Sequence, residues 1–183
     1  AGITGIDIKN EPAFRKVIEL TSGRLEDLAE PNTMMVFESQ VERLKVKVGD
    51  AVTLSAQTTR GAANTIDCRI VAIAKDMGLM SKFGVFVPVE TTRALYQLRS
   101  DTTGAIHIYL KPQFVPDVTA IAARLRGQLE KLGWAVMDAD PNPFWMKFQT
   151  VAREDWTGQK LDVTTWEDEV SFITWTLTVL KGL

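Results

Sequence analysis

Pro116-Asp-Val-Thr-Ala-Ile-Ala-Ala-Arg-Leu-Arg-Gly-Gln-Leu-Glu-Lys-Leu-Gly133 decides the fold class. Val118, Ile121, Ala122, Leu125, Leu129 and Leu132 recur at helical spacing and form one apolar stripe. Arg124, Arg126, Gln128, Glu130 and Lys131 lie mostly on the opposite side, and Gly133 is a stop signal. Upstream, Ala105 to Leu110 alternates Ile106, Ile108 and Leu110 against His107 and Tyr109, the period of a strand with one buried face. Downstream, Trp134-Ala-Val-Met137 reads as another strand. Strand, amphipathic helix and strand across 105–137 predict a sheet layer with helices on one side.

The elements before this unit are shorter. Glu11 to Ala29 reads as a helix with Pro12 at its first turn, weakened near Gly23 and ended by Pro31-Asn32. Met34-Met-Val-Phe37 is a short apolar strand, and Val41 to Val46 suggests a turn of helix. Val48-Gly-Asp50 marks a turn before a strand from Ala51 to Ala56. Thr58 to Asn64 is small and polar, the tip of a hairpin that includes Thr59, Arg60 and Gly61, and Asp67 to Ala74 returns as a buried strand. Gly84-Val-Phe-Val-Pro-Val89 is a further strand, placed near an edge or a strand end by Pro88. Thr91 to Leu98 reads as a short helix.

With 183 residues the chain suits one ordinary domain or two small ones. A hydrophobic fraction of 45% and a charged fraction of 24% belong to a folded globular protein. A net charge of -2 gives no electrostatic footprint for nucleic acid or for an anionic membrane surface. One cysteine, Cys68, forms no internal disulfide and fits either the cytosol or a periplasmic domain that avoids thiols. No stretch reads as a transmembrane segment or a signal peptide.

Catalytic chemistry has little support. His107 stands on the polar face of its strand, and one His and one Cys far apart do not make a nucleophile pair. Asp138 and Asp140 sit in an Asp-Pro-Asn-Pro setting that marks a turn more often than a metal site. No glycine spacing matches a phosphate-cradling loop. The acids at 167–169 fit the start of a helix better than a reactive site. The expectation is a non-catalytic domain without cofactor or metal.

Two features stand apart. Asp138 to Asp162 is a stretch of about 25 residues, long for a loop in a compact domain. It carries Phe144, Trp145, Phe148 and Trp156, which either cover the core or form a patch for cargo or a partner. Then Thr165 followed three residues later by Asp168 looks like an N-cap with an acid in the first turn. An apolar run from Phe172 follows, shorter than the roughly 20 residues of a membrane span. It reads either as a helix docked on the core or as one rising toward a membrane.

The motifs recur in a recognisable order. Val41-Glu-Arg-Leu-Lys-Val-Lys-Val-Gly-Asp50 precedes a strand, and Arg69-Ile-Val-Ala-Ile73 is the next strand. Gly84-Val-Phe-Val-Pro-Val89 runs into Thr91-Thr-Arg-Ala-Leu95, and Gly104-Ala-Ile-His-Ile-Tyr-Leu110 into the helix 117–132. Thr164-Thr-Trp-Glu-Asp168 closes the series. Each motif is weak alone, and together they cover nearly the whole chain. The series resembles the extracytoplasmic core domain of MacB-type ABC transporter permeases, including the lipoprotein-releasing group.

The resemblance implies an α+β fold with two subdomains. A porter-like β-α-β layer would take 1–32 and 104–165, a smaller mainly β insert 33–103, and 166–183 would start the helix to the second membrane span. Thr165, Trp166 and Glu167 would then begin the membrane-proximal helix. The domain would face the periplasm from the bacterial inner membrane and couple ATP hydrolysis to movement of lipoprotein, peptide or drug-like cargo. Implied partners are a cytoplasmic ATP-binding subunit, a second or homologous permease, and a periplasmic carrier or adaptor. The tip 57–64 is short and lacks proline, which departs from the extended hook of carrier-docking subunits. The stretch 141–156 is longer than the family pattern. The alternative is the outer domain of a transmembrane regulator that activates a cell-wall hydrolase.

Overall fold

The computed structural model describes residues 2–78, 80–138, 146 and 160–171. The chain divides into two compact units, 1–106 and 107–183. The fold is α+β.

The first unit is built on a mixed sheet of six strands among the described residues. These are β1 (Gly2–Ile6), β2 (Leu20–Gly23), β3 (Thr33–Phe37), β4 (Ala51–Gln57), β5 (Ala63–Ala74) and β6 (Gly84–Pro88). The order is β1-β6-β3-β5-β2, with β4 also pairing β5. Strand β3 lies between β5, its parallel neighbour, and β6, and all five of its residues are buried. Burial on both faces explains why Thr-Met-Met-Val-Phe is continuously apolar after its first residue instead of alternating.

The pleat sends successive residues to opposite faces, which divides the core in two. Met34 and Val36 join Cys68, Ile70, Val87 and Leu95 on one face. Met35 and Phe37 join Ile8, Leu25, Leu28 and Ala72 on the other. Helix α4 (Val89–Tyr96) covers the first face through Leu95. The second is covered by Ile8 and by a 3₁₀ turn, Leu25–Ala29, that contributes Leu25 and Leu28. Each fully buried Leu, Ile, Met or Phe here stabilises the sheet by roughly 1.5–3 kcal/mol.

Local signals predict several element ends. Pro88 is the last residue of β6 and leads directly into α4, so its missing N–H costs no ladder bond beyond the strand end. Helix α2 (Glu38–Leu44) starts three residues before the turn of helix expected at 41–46, and Lys45 in the left-handed region closes it. Short helices α1 (Pro12–Val17) and α3 (Met80–Phe83) complete this unit.

The expected helix 11–29 is not continuous. Helix α1 stops at Val17, β2 pairs antiparallel with β5, and the 3₁₀ turn follows. Gly23 has φ +82°, which a helix does not accommodate, and the ladder to β5 overrides the weak helical period. The pairing also differs from the expected subdomain grouping. Strand β1 runs parallel to β6, from Gly2 opposite Gly84 to Ile6 opposite Pro88. Residues 2–32 are therefore built into the same unit as 33–103, not set apart with 104–165. Parallel pairing across some eighty residues leaves no local trace in sequence, because it depends on a long crossover.

In the second unit α5 (Val118–Lys131) follows a 3₁₀ turn, Pro112–Asp117, close to the expected helix. Gly133, at φ +85°, donates to the Glu130 carbonyl and ends it. Strand β7 (Ala135–Val136) pairs parallel with β8 (Lys160–Leu161). The strand expected at 105–110 is not formed among the described residues, and Ile106 and Ile108 are 78% and 63% exposed. Alternation supplies an apolar face, but a strand also needs a ladder partner. Helix α6 (Trp166–Glu169) is the last described element.

Candidate functional site

The β4–β5 hairpin runs in unbroken register from Ala51 opposite Arg69 to Gln57 opposite Ala63. Its turn is tied internally. Thr58 N–H donates to the Ala62 carbonyl at 2.8 Å, and Gly61 N–H to the Thr58 carbonyl at 2.9 Å. The Thr58 hydroxyl accepts from Ala62 N–H at 3.2 Å and is buried with its residue, while Thr59, Arg60 and Gly61 are exposed. One rung further in, Asn64 Nδ2 donates to the carbonyls of Ala94 and Leu95 at 3.1 and 2.9 Å. Those carbonyls lie in the last turn of α4, where acceptors run short of helical N–H donors, and Ala94 also accepts the Gln97 N–H at 3.2 Å. The exposed tip is thus held by a satisfied turn and a side-chain cap on a neighbouring helix.

The second predicted group lies at the start of α6. Thr165 N–H donates to Asp168 Oδ2 at 2.6 Å, and the Thr165 hydroxyl reaches the same oxygen at 3.1 Å. The Thr165 side chain also meets the Asp168 backbone N–H, which completes a capping box. Trp166 is 61% exposed and Glu167 is exposed. The Thr-x-x-Asp spacing therefore does mark a helix start, as expected.

Phe144, Trp145, Phe148 and Trp156, the predicted contact residues of the aromatic stretch, lie outside the described residues.

The sequence did not single out Arg126. Its guanidinium donates through Nη1 to the Met137 carbonyl and through Nη2 to the Val163 carbonyl, the latter at 2.9 Å. The signal available was position: Arg126 follows Leu125 and lies four residues after Ala122, at the rim of the apolar stripe rather than opposite it.

Other groups do not converge on chemistry. His107 stacks edge-on to Tyr109 at 6.4 Å between ring centroids. Cys68 is fully buried, and its thiol is pushed up to about 11, first by burial and then by the neighbouring Asp67 charge. Among the described residues no three His, Cys, Asp or Glu side chains group as metal ligands. An open depression of about 270 Å³ lies where the end of β2 and the turn before β4 approach β5, lined by Gly23, Arg24, Asp27, Gly49 and Arg69 among others. Both arginines are exposed and a carboxylate shares the depression, so it defines no ligand chemistry. No helix among the described residues is long and apolar enough to cross a membrane.

No protein-family model matches the chain, and no curated protein matches it. Among solved structures, one match is a domain of a "putative Permease protein" from Porphyromonas gingivalis. Identity is 16% and the TM-score 0.35, over 62% of this chain and 52% of that one. The match thus spans about half of the neighbour's length.

Proposed function

We propose that this chain is the extracytoplasmic domain of a MacB-type ABC transporter permease, facing the periplasm from the bacterial inner membrane. In this reading the domain is itself non-catalytic. It couples ATP hydrolysis by a cytoplasmic subunit to movement of cargo, a lipoprotein, peptide or drug-like molecule, on the outer side. A second or homologous permease copy completes the transporter, and a periplasmic carrier or adaptor is a further partner. The observation that carries the reading is the ordered motif series ending in Thr164-Thr-Trp-Glu-Asp168, with the apolar run from Phe172 after it. The capping box at Thr165 supports it, because it makes this segment a helix start. Phe144, Trp145, Phe148 and Trp156 are its proposed cargo or partner contact, on composition alone.

The test is to tag the full reading frame that contains this chain and purify it from membranes in mild detergent. An ATP-binding subunit, fused or co-purifying, together with ATPase activity that responds to cargo, is the expected result. Recovery without any membrane fraction or ATPase overturns the reading. Capture of a cell-wall hydrolase that is activated without any cargo moves the function to the regulator alternative.

A further inference from the structure

Arg126 lies in the third turn of α5 and is half-buried. The two carbonyls it holds belong to different chain segments. Met137 directly follows β7, and Val163 lies two residues beyond β8. Met137 N–H donates to the Leu161 carbonyl at 2.8 Å, so the two segments also meet each other beside the guanidinium. Two residues after Val163, Thr165 opens the capping box of α6. A single planar fork therefore joins a long helix, the end of a strand pair and the lead into the last described helix.

We propose that Arg126 is a positioning residue that couples the start of α6 to the β7–β8 pair and to α5. Arginine suits this task. Its donors are fixed in one plane, so serving both carbonyls sets their relative position, whereas a lysine ammonium is a point donor without that fixed fork. A displacement of the α6 start moves Val163 and, through the fork, Met137. What the coupling is for rests on the permease reading, in which α6 leads to a membrane helix and outer movement follows that helix. The coupling itself is a property of this chain, and its test needs no membrane.

The experiment is amide hydrogen exchange by NMR on the chain as it stands. Two reporters are read: Met137 N–H for the strand pair, and Val170 N–H, which donates to the Trp166 carbonyl at 3.1 Å, for α6. Asp168→Ala removes the acceptor of the cap and is expected to speed exchange at Val170 about tenfold, with a severalfold increase at Met137. Arg126→Lys is expected to speed both. In the Arg126→Lys background, Asp168→Ala should speed Val170 alone, a non-additivity that a merely structural arginine would not produce. The Ile70 amide is the control for an intact first unit, and the Leu132 amide, which donates to the Gln128 carbonyl at the end of α5, is the control for an intact second unit. An unchanged Met137 in Asp168→Ala, or an equal response with and without Arg126, overturns the proposal. If Arg126→Lys unfolds this unit, the single variant Asp168→Ala read at Met137 still decides. Coupling found in a protein that proves not to be a permease would leave this inference standing while the functional reading falls.

Discussion

Gln40 Nε2 donates to the carbonyl of Gly84 at 2.8 Å, joining α2 to the first residue of β6 across 44 positions of sequence. The same side chain accepts the Phe37 N–H through Oε1 at 3.0 Å, and Gln40 is only 2% exposed. One amide thus satisfies a donor at the end of β3 and an acceptor at the start of β6. Gln40→Leu keeps the volume but leaves the buried Phe37 N–H without its acceptor and takes the donor from the half-buried Gly84 carbonyl. The expected loss is about 2–4 kcal/mol, read as a lower urea midpoint at unchanged slope. Native stability in Gln40→Leu would show that this bridge does not hold α2 in place.

Gly23 sits where β2 meets β5, at φ +82°, and a Cβ there would lie 2.0 Å from the Val71 carbonyl oxygen. Gly49 has φ +96°, but a Cβ there would meet nothing within 4 Å. The pair separates conformational strain from collision. Gly49→Ala is expected to cost about 1 kcal/mol, from backbone strain alone. Gly23→Ala should cost about 3 kcal/mol, because β2 must also move off β5. Equal losses in the two variants would mean that β2 does not pack against Val71.

Cys68 is fully buried on β5, and its thiol is raised to about 11. The folded state disfavours the thiolate, so the contribution to stability is complete below the unfolded pKa near 8.5–9. It declines as pH rises toward 11. A shift of about two units corresponds to roughly 2–3 kcal/mol of extra alkaline loss. The wild type should therefore lose more stability than Cys68→Ala between pH 8.5 and pH 11, with the two slopes equal below that window. Maleimide should label the native thiol at pH 7.5 far more slowly than the unfolded chain. Labelling at similar rates would place Cys68 outside the core.

Where local physics decides, the sequence was legible. The stripe from Val118 to Leu129 became α5, Thr165 with Asp168 became a capping box, and the two runs around the polar tip became a hairpin. Helix period, cap spacing and turn composition act within a few residues of themselves. The losses came where distant partners decide. The helical period of 11–29 yielded to the β5 ladder, and the N-terminal strand found β6 rather than the C-terminal half. The alternation at 105–110 could not report whether a partner strand existed. Of the candidate site, the tip and the helix start could be read, whereas Arg126 could not. Its two acceptors lie 11 and 37 residues away, and its place at the rim of the apolar stripe, unlike that of Arg124, says only that it can reach inward and not what it meets.

The hairpin offers a separation of scaffold from contact. Asn64 caps α4, so Asn64→Ala removes two hydrogen bonds to its last turn, although the Ala94 carbonyl keeps the Gln97 N–H, and should cost about 1–2 kcal/mol. Thr59 and Arg60 project from a turn closed by Thr58, Gly61 and Ala62 without them, so Thr59→Ala and Arg60→Glu should stay within about 0.5 kcal/mol of native stability. With stability unchanged, any effect of these two on a partner is direct. The ladder closes at Gln57 opposite Ala63, which leaves a short turn and no extended arm. In the proposed permease, docking of a periplasmic carrier is therefore expected to survive Arg60→Glu, measured by co-purification with the full protein. Loss of the carrier in Arg60→Glu at native stability would make the tip a docking element despite its length. A large stability loss in Thr59→Ala or Arg60→Glu would show instead that the tip belongs to the scaffold.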